Sequence, residues 1–440
     1  WRGDSAVMKH IDTDVLVVGG GMIGLTQALA LASAGLRSVV VERQATADLT
    51  ARAYDGRVAT LSFGSAAMYG QIGVWDHMVE HAEPIGEIRV ADNGAPLFLH
   101  FDHREVGDRP FGFTMENRFI RLALHRALAQ TDHVALIAPA EVVEMERGSH
   151  GVRARLADGR TIRAPLVVGA EGRISPLREA AGIRCLSWQY DQTAIVTTVR
   201  HEGGHGGIAS ELFLPAGPFA LLPMQGNRSA LIWTERKADV PRLLALDGGA
   251  FNVAIMDRAG AHWGAIACDA PRWNYPLGLQ NAERYIDNRL ALIGDAAHGM
   301  HPVAGQGLNL GLRDVAALAE VLADTARLGL DLGGGEGLRR YQQWRRFDAL
   351  KMLLMTDGLV RLFSNDLTPL RLARVLGLGL VAYLLVSQFK TVLNAAFTAY
   401  NIYGASLTPA LLAAFLWKRA TKEGAVASII TGASVTIVWT

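Results

Sequence analysis

Leu290-Ala-Leu-Ile-Gly-Asp-Ala-Ala-His-Gly-Met-His-Pro-Val-Ala-Gly-Gln-Gly-Leu-Asn-Leu-Gly-Leu-Arg-Asp314 decides the fold of this chain. Its opening apolar run reads as a buried strand ending at Gly294. Asp295 follows at the strand's end, where a carboxylate can accept hydrogen bonds from ligand hydroxyls. Pro302 comes next, then a Gly-Gln-Gly turn at 305–307 and an apolar-periodic run that predicts a helix. A helix N-terminus at that point presents free backbone N–H groups and the positive end of the dipole. That suits an anionic or electron-rich ligand edge.

The N-terminal region carries a second ligand-binding turn. Asp14-Val-Leu-Val-Val18 is a continuous apolar run, as a buried parallel strand requires. Gly19, Gly21 and Gly24 follow with G-x-G-x-x-G spacing, then a helical pattern from Leu25 to Ala34 that stops at Gly35. A second strand, Ser38 to Val41, ends on Glu42. Glycines in such a turn let the backbone approach a pyrophosphate, and the acid after the second strand binds a ribose hydroxyl pair. The turn alone is a weak signal. Strand, turn, helix, strand and acid in this order are a strong one. The reading is α/β, with a Rossmann-like dinucleotide-binding domain.

Together these stretches resemble flavoprotein monooxygenases of the p-hydroxybenzoate hydroxylase type, and the wording of 301–314 is most similar to the ubiquinone-biosynthesis hydroxylases. Asp55-Gly-Arg57 resembles the family's Asp-x-Arg segment. Leu166-Val-Val-Gly-Ala-Glu-Gly172 and Ser175-Pro-Leu-Arg178 resemble its central motif, with Glu171 in place of the usual Asp. Gly217 to Pro223 and Ile232-Trp233 resemble its substrate-domain strands. The resemblance runs from about residue 12 to about 375.

It implies FAD as the bound cofactor, NAD(P)H as a transient electron donor, and O₂ as co-substrate. The substrate it implies is a prenylated phenol or quinone precursor. The cofactor-binding residues carried over are Gly19, Gly21, Gly24, Glu42, Arg43, Arg57, Arg121, Glu171, Gly172, Asp295, Pro302, Gly305, Gly307, Leu308 and Asn309. Arg121 reads equally as a solvated residue on the helix predicted for 116–129. No catalytic side chain is assigned, because the oxygen chemistry falls to the flavin C4a position. A hydroxylase of another aromatic or polyketide substrate is the alternative.

The resemblance and the β pattern suggest interleaved domains. Residues 11–75, 105–185 and 286–375 form the FAD-binding domain, and 76–104 with 186–285 form a β-sheet substrate domain. A hairpin is expected over 86–101 around Asn93-Gly94, and a meander over 141–168 with turns at Gly148-Ser149 and Asp158-Gly159. Residues 1–10 read as a disordered leader in which Arg2-Gly3-Asp4 is a chance tripeptide, with Met8 the expected start.

Composition narrows the function classes. A chain of 440 residues can bury a substantial core, and its formal charge of +1 carries no basic run suited to nucleic acid. Two cysteines, Cys185 and Cys268, form no disulfide framework and fit a reducing compartment. No metal spacing is present. His298 and His301 read as packing or hydrogen-bonding groups under the ligand loop rather than metal ligands. The expected location is the cytoplasm, at the inner face of a membrane, with other ubiquinone-biosynthesis proteins as possible partners.

Residues 376–440 break the pattern as an apolar helical tail. Thr391 to Trp417 carries no charge and exceeds the roughly 20 residues needed to cross a bilayer. Ala399 to Pro409 and Phe415 to Gly424 resemble a segment of a sodium:solute symporter. Three readings are open: a natural membrane anchor, an accidental join of two genes, or a buried helix pair. As an anchor, the tail would keep Lys418, Arg419 and Lys422 in the cytoplasm. Transport as the function is disfavoured, because two or three spans cannot enclose a substrate site.

Overall fold

The computed structural model describes residues 10–364, apart from 52, 93–97 and 106. The expectations for 1–9 and for the tail lie outside the described residues.

The first layer is a six-stranded sheet. Val15–Val18 pairs in parallel with Ser38–Val41 on one side and Leu166–Gly169 on the other. Leu166–Gly169 pairs onward with Leu290–Leu292, and Ser38–Val41 with Val134–Ile137, again in parallel. The first three of these strands are buried at all four positions, as a sheet covered on both faces demands. Helix Met22–Ser33 starts directly after the Val15–Val18 strand and packs on the sheet, and helix Gly307–Arg327 packs against that helix, starting after the turn Val303–Gly305. The two turns read from the sequence therefore emerge at the C-terminal ends of two strands separated only by Leu166–Gly169, on the side where open α/β sheets bind ligands.

The second layer is a larger sheet built round the 17-residue strand Cys185–His201. Trp273–Ala282 and Arg228–Arg236 flank it, followed outward by Gly217–Met224, Ile208–Leu214, Glu87–Asp92 and Phe98–Asp102. Glu87–Asp92 and Phe98–Asp102 are antiparallel, as the expected hairpin requires. The Glu83–Ile85 strand pairs instead with Gly112–Glu116, in a separate three-stranded sheet.

Strand alternation sorts the two faces of this sheet. Phe219, Leu221, Leu231 and Trp233 face a second core, shared with helices Val240–Leu244 and Gly248–Ala259. Pro218, Ala220, Leu222, Ile232 and Thr234 face a cavity. The sheets are stitched together by His298–Gly299, which pairs with Trp273–Ala282 directly after Asp295. The meander forms a fourth sheet, Val142–Arg147, Val152–Leu156 and Thr161–Ala164, whose last strand pairs in parallel with His10–Asp12.

Candidate active site

A cavity of about 740 Å³ separates the two principal sheets. Its floor is made by the strand-end turns: Gly21 to Ile23, Gly172, Arg173, Gly294, Asp295, Met300 to Val303 and Gly305 to Asn309 contribute. Its wall is the alternating face of the large sheet, joined by Ile85, Ile88 and Val90. One side is therefore polar and backbone-rich, and the other is mostly apolar.

Eight of the expected residues meet here: Gly21, Gly172, Asp295, Pro302, Gly305, Gly307, Leu308 and Asn309. Gly19, Gly24, Glu42, Arg43, Arg57, Arg121 and Glu171 stand outside the lining.

The three fingerprint glycines do different work. A Cβ on Gly24 would lie 1.8 Å from the Gly19 carbonyl oxygen, and one on Gly19 2.4 Å from that of Ala170. Those two positions are close backbone contacts, and Gly19 also needs its φ of +107°. A Cβ on Gly21 would meet nothing within 4 Å, and the same is true at Gly172 and Gly307. These three bare backbones leave room for a ligand, so the site fits a dinucleotide.

The remaining expected residues are held by the protein. Glu42 accepts from the Gly20 N–H at 2.6 Å and the Gln44 N–H at 2.8 Å, and so fixes the turn. Arg43 is exposed. Arg57 donates to the Tyr275 hydroxyl at 3.4 Å, which ties its loop to the large sheet. Arg121 donates to the Leu49 carbonyl at 3.1 Å and to Asp55 at 3.3 Å, so it braces that loop and is not a free helix face. The longer side chain of Glu171 turns onto Ser175 and the Leu177 N–H, at the start of the short helix Pro176–Ala180. Burial pushes the Glu171 pKa up against those two hydrogen bonds.

Asp295 is different. Its side chain is exposed to the open cavity although it lies deep below the outer surface. That depth raises its pKa above the ordinary carboxylate value, against the opposing pull of His298 and Arg173. The Asn309 amide is fully committed, accepting from the Ser62 N–H at 2.9 Å and the Ser65 hydroxyl at 2.8 Å. It also donates to the Thr60 carbonyl at 2.7 Å. The first-turn N–H groups of Gly307, Leu308 and Asn309 are the helix's orphan donors at the cavity edge.

Beneath the floor lies a group of residues that the sequence reading did not assign together. Asp314 is wholly buried and accepts from the Gly294 N–H at 2.9 Å and from Arg345 Nε at 2.8 Å. Its Oδ2 also lies 2.6 Å from His298 Nε2. Burial alone would raise its pKa, but His298 and Arg345 outweigh that and hold it low. The reading of His298 as a hydrogen-bonding group under the loop agrees with this geometry. His301 is also buried, stands edge-on to Tyr190 at 5.2 Å, and is pushed down to about pKa 4, so it is neutral at pH 7. Arg345 had no sequence signal, because it reaches Asp314 from a helix 31 residues away. Among the described residues no group of His, Cys, Asp or Glu could hold a metal ion.

A strand–turn–helix floor with bare glycines, facing an apolar cavity in a second sheet, defines a flavin-dependent monooxygenase. The family model described as the FAD binding domain matches residues 12–245 and 248–353, and the chain belongs to that family. It is 52% identical over 368 residues to the ubiquinone hydroxylase UbiL of Rhodospirillum rubrum, covering 84% of this chain and 86% of that protein. It is 34% identical to the 3-demethoxyubiquinol 3-hydroxylase of Escherichia coli, over 84% of this chain and 95% of the other. The human mitochondrial ubiquinone biosynthesis monooxygenase COQ6 is 32% identical, with 86% and 91% covered. Among solved structures, PqsL of Pseudomonas aeruginosa, a probable FAD-dependent monooxygenase, shares the fold. Its TM-score is 0.72 at 23% identity, over 83% of this chain and all of that one.

Proposed function

We propose that this protein hydroxylates the aromatic ring of a ubiquinone precursor, with O₂ as oxygen source and NAD(P)H as electron donor. The observation that carries this reading is the two-sided cavity: a backbone-rich floor opposite a wall of Pro218, Ala220, Leu222 and Ile232. A prenylated phenol has the matching chemistry, with a polar ring and an apolar chain. At roughly 25 cal/mol per Å² of apolar surface removed from water, such a wall binds the chain without hydrogen bonds. The similarity to relatives named for ubiquinone hydroxylation supports the substrate class.

FAD, when bound, supplies the oxygen-activating chemistry. The protein's part is to hold it and to exclude water. Gly19, Gly21 and Gly24 would form the turn for the pyrophosphate, with Gly172 beside it, and Glu42 with Arg43 the ribose end. Asp295 would accept from the ribityl hydroxyls. The donors of Gly307 to Asn309, set up by Pro302 and Gly305, would face the electron-rich flavin edge. Arg57, Arg121 and Glu171 would act by bracing the loops they join. The interleaved division into cofactor segments (11–75, 105–185, 286–375) and substrate segments (76–104, 186–285) accompanies this reading. Work at the inner face of a membrane, where such a substrate resides, belongs to it as well.

The test is product analysis. The purified full chain is supplied with NAD(P)H, a prenylated phenol and ¹⁸O₂. The expected result is faster NAD(P)H oxidation on adding the phenol, with label in the ring. Product without label would overturn the monooxygenase reaction on this substrate.

A further inference from the structure

The long helix Gly335–Phe363 buries one side against its neighbours and leaves the other without a covering partner among the described residues. Tyr341, Arg345, Ala349, Leu353 and Val360 are buried. Trp344, Phe347, Leu350 and Met355 are exposed by 47%, 66%, 41% and 42%. Their spacing of three, three and five residues keeps them on one side of a helix with 3.6 residues per turn. Four large apolar side chains on one exposed arc are a patch, unlike the scattered single residues normal on any surface.

The charges beside those apolar residues are mainly cationic, with Glu336 in the first turn an exposed acid on the same side. Arg339, Arg346 and Lys351 are exposed and make no ion pair among the described residues. The Lys351 ammonium lies over the Phe347 ring at 4.9 Å. The nearby acid Asp348 is already held by Arg345 at 2.6 Å and Arg313 at 3.3 Å. An apolar strip with aromatic residues and uncompensated cations complements an anionic bilayer surface. Such a helix lies in the interface plane with its apolar side inserted. No described helix is long and apolar enough to cross a membrane, so insertion here is interfacial.

The far end of the same helix meets the substrate sheet. Asp357 accepts from the Tyr190 hydroxyl at 2.7 Å, and the Phe363 ring lies 4.6 Å from that of Phe213. Phe213 belongs to the Ile208–Leu214 strand, which also supplies Ala209 and Ser210 to the cavity. We propose that the exposed arc of this helix, centred on Phe347 and flanked by Arg339, Arg346 and Lys351, docks the enzyme on an anionic lipid surface and so holds the substrate sheet beside it. The role of this docking in delivering a lipid-soluble substrate rests on the proposed function. The docking itself does not.

The experiment uses the full chain with vesicles of phosphatidylcholine, with or without phosphatidylglycerol. Acylation of Lys351 is followed by mass spectrometry, alongside flotation. Anionic vesicles should shield Lys351 and neutral ones should not. Arg346→Ala should weaken binding about fivefold, the effect of one cation near an anionic surface. Phe347→Glu should abolish the shielding while leaving turnover of a short-chain, water-soluble phenol unchanged. Lys351 labelled equally with and without anionic vesicles overturns the proposal. So does Lys351 shielded before any vesicle is added, because the chain itself or a second copy then covers the arc. Shielding retained in Phe347→Glu overturns it as well. Failure of the functional reading looks different: no phenol is hydroxylated, yet Lys351 is still shielded by anionic vesicles.

Discussion

Oδ2 of Asp314 lies 2.6 Å from Nε2 of His298, and both side chains are buried, at 0% and 3% exposure. The same oxygen takes the Gly294 N–H, so one carboxylate on the Gly307–Arg327 helix fixes the turn from which Asp295 projects into the cavity. The position of Asp295 is thus set from below.

Removing that carboxylate should be costly. Asp314→Ala leaves Arg345 Nε and the Gly294 N–H buried without their acceptor, while Arg345 keeps Asp348; breaking a buried pair in this way costs up to about 3–5 kcal/mol. Denaturant unfolding of the purified chain should show a lower midpoint with unchanged slope, and flavin should be lost first. A variant as stable as the wild type would show that the buried network is not supporting the turn.

The same residue gives a pH prediction. The Asp314 pKa is depressed, so its ion pairs stabilise the fold above the ordinary carboxylate pKa of about 3.9 and are lost as pH falls through the lower folded value. Asp314→Asn should therefore flatten the acid limb of the stability curve and leave the slope near pH 7 unchanged. Thermal unfolding from pH 3 to pH 8 measures both.

Asp295 carries the opposite sign. Its pKa is raised, so the folded apoprotein holds the proton more tightly than the unfolded chain, and stability falls as pH rises through that interval. Asp295→Asn should make the flavin-free protein more stable at neutral pH. It should also weaken FAD binding roughly ten- to a hundredfold, the equivalent of about 1.5–3 kcal/mol for a charged hydrogen bond. Unchanged FAD affinity in flavin titration would remove Asp295 from the site.

Gly21 and Gly24 should separate. Ala at 21 has open space and should fold with normal stability, but should not retain flavin. Ala at 24 collides with the Gly19 backbone and should lower the unfolding temperature. Flavin content per chain and calorimetry together distinguish the two. Equal behaviour in both would contradict the separate placement of these glycines.

The apolar wall can be tested apart from the floor. Leu222→Glu places a charge in the cavity, opposite the glycine turns. FAD content should be unchanged, while kcat/KM for a prenylated phenol should fall by about a hundredfold, mostly through KM. A short-chain phenol should be affected less. An equal loss for both substrates would mean that the wall does not hold the chain.

Local sequence alone determined both ligand turns. The Val15–Val18 strand, the glycine spacing and Asp295 at a strand end are short-range patterns, and their physics is that of a few adjacent residues. The meander turns and the helix Asn117–Leu128 were legible for the same reason. Tertiary structure decided what no spacing encodes. It joined Asp314 to Arg345 and Arg57 to Tyr275, the latter pair 218 residues apart in the chain. It also chose which face of the large sheet meets the floor of glycine turns. Strand alternation shows that a sheet has two faces, but which of them is covered by helices and which lines a cavity depends on packing between distant segments.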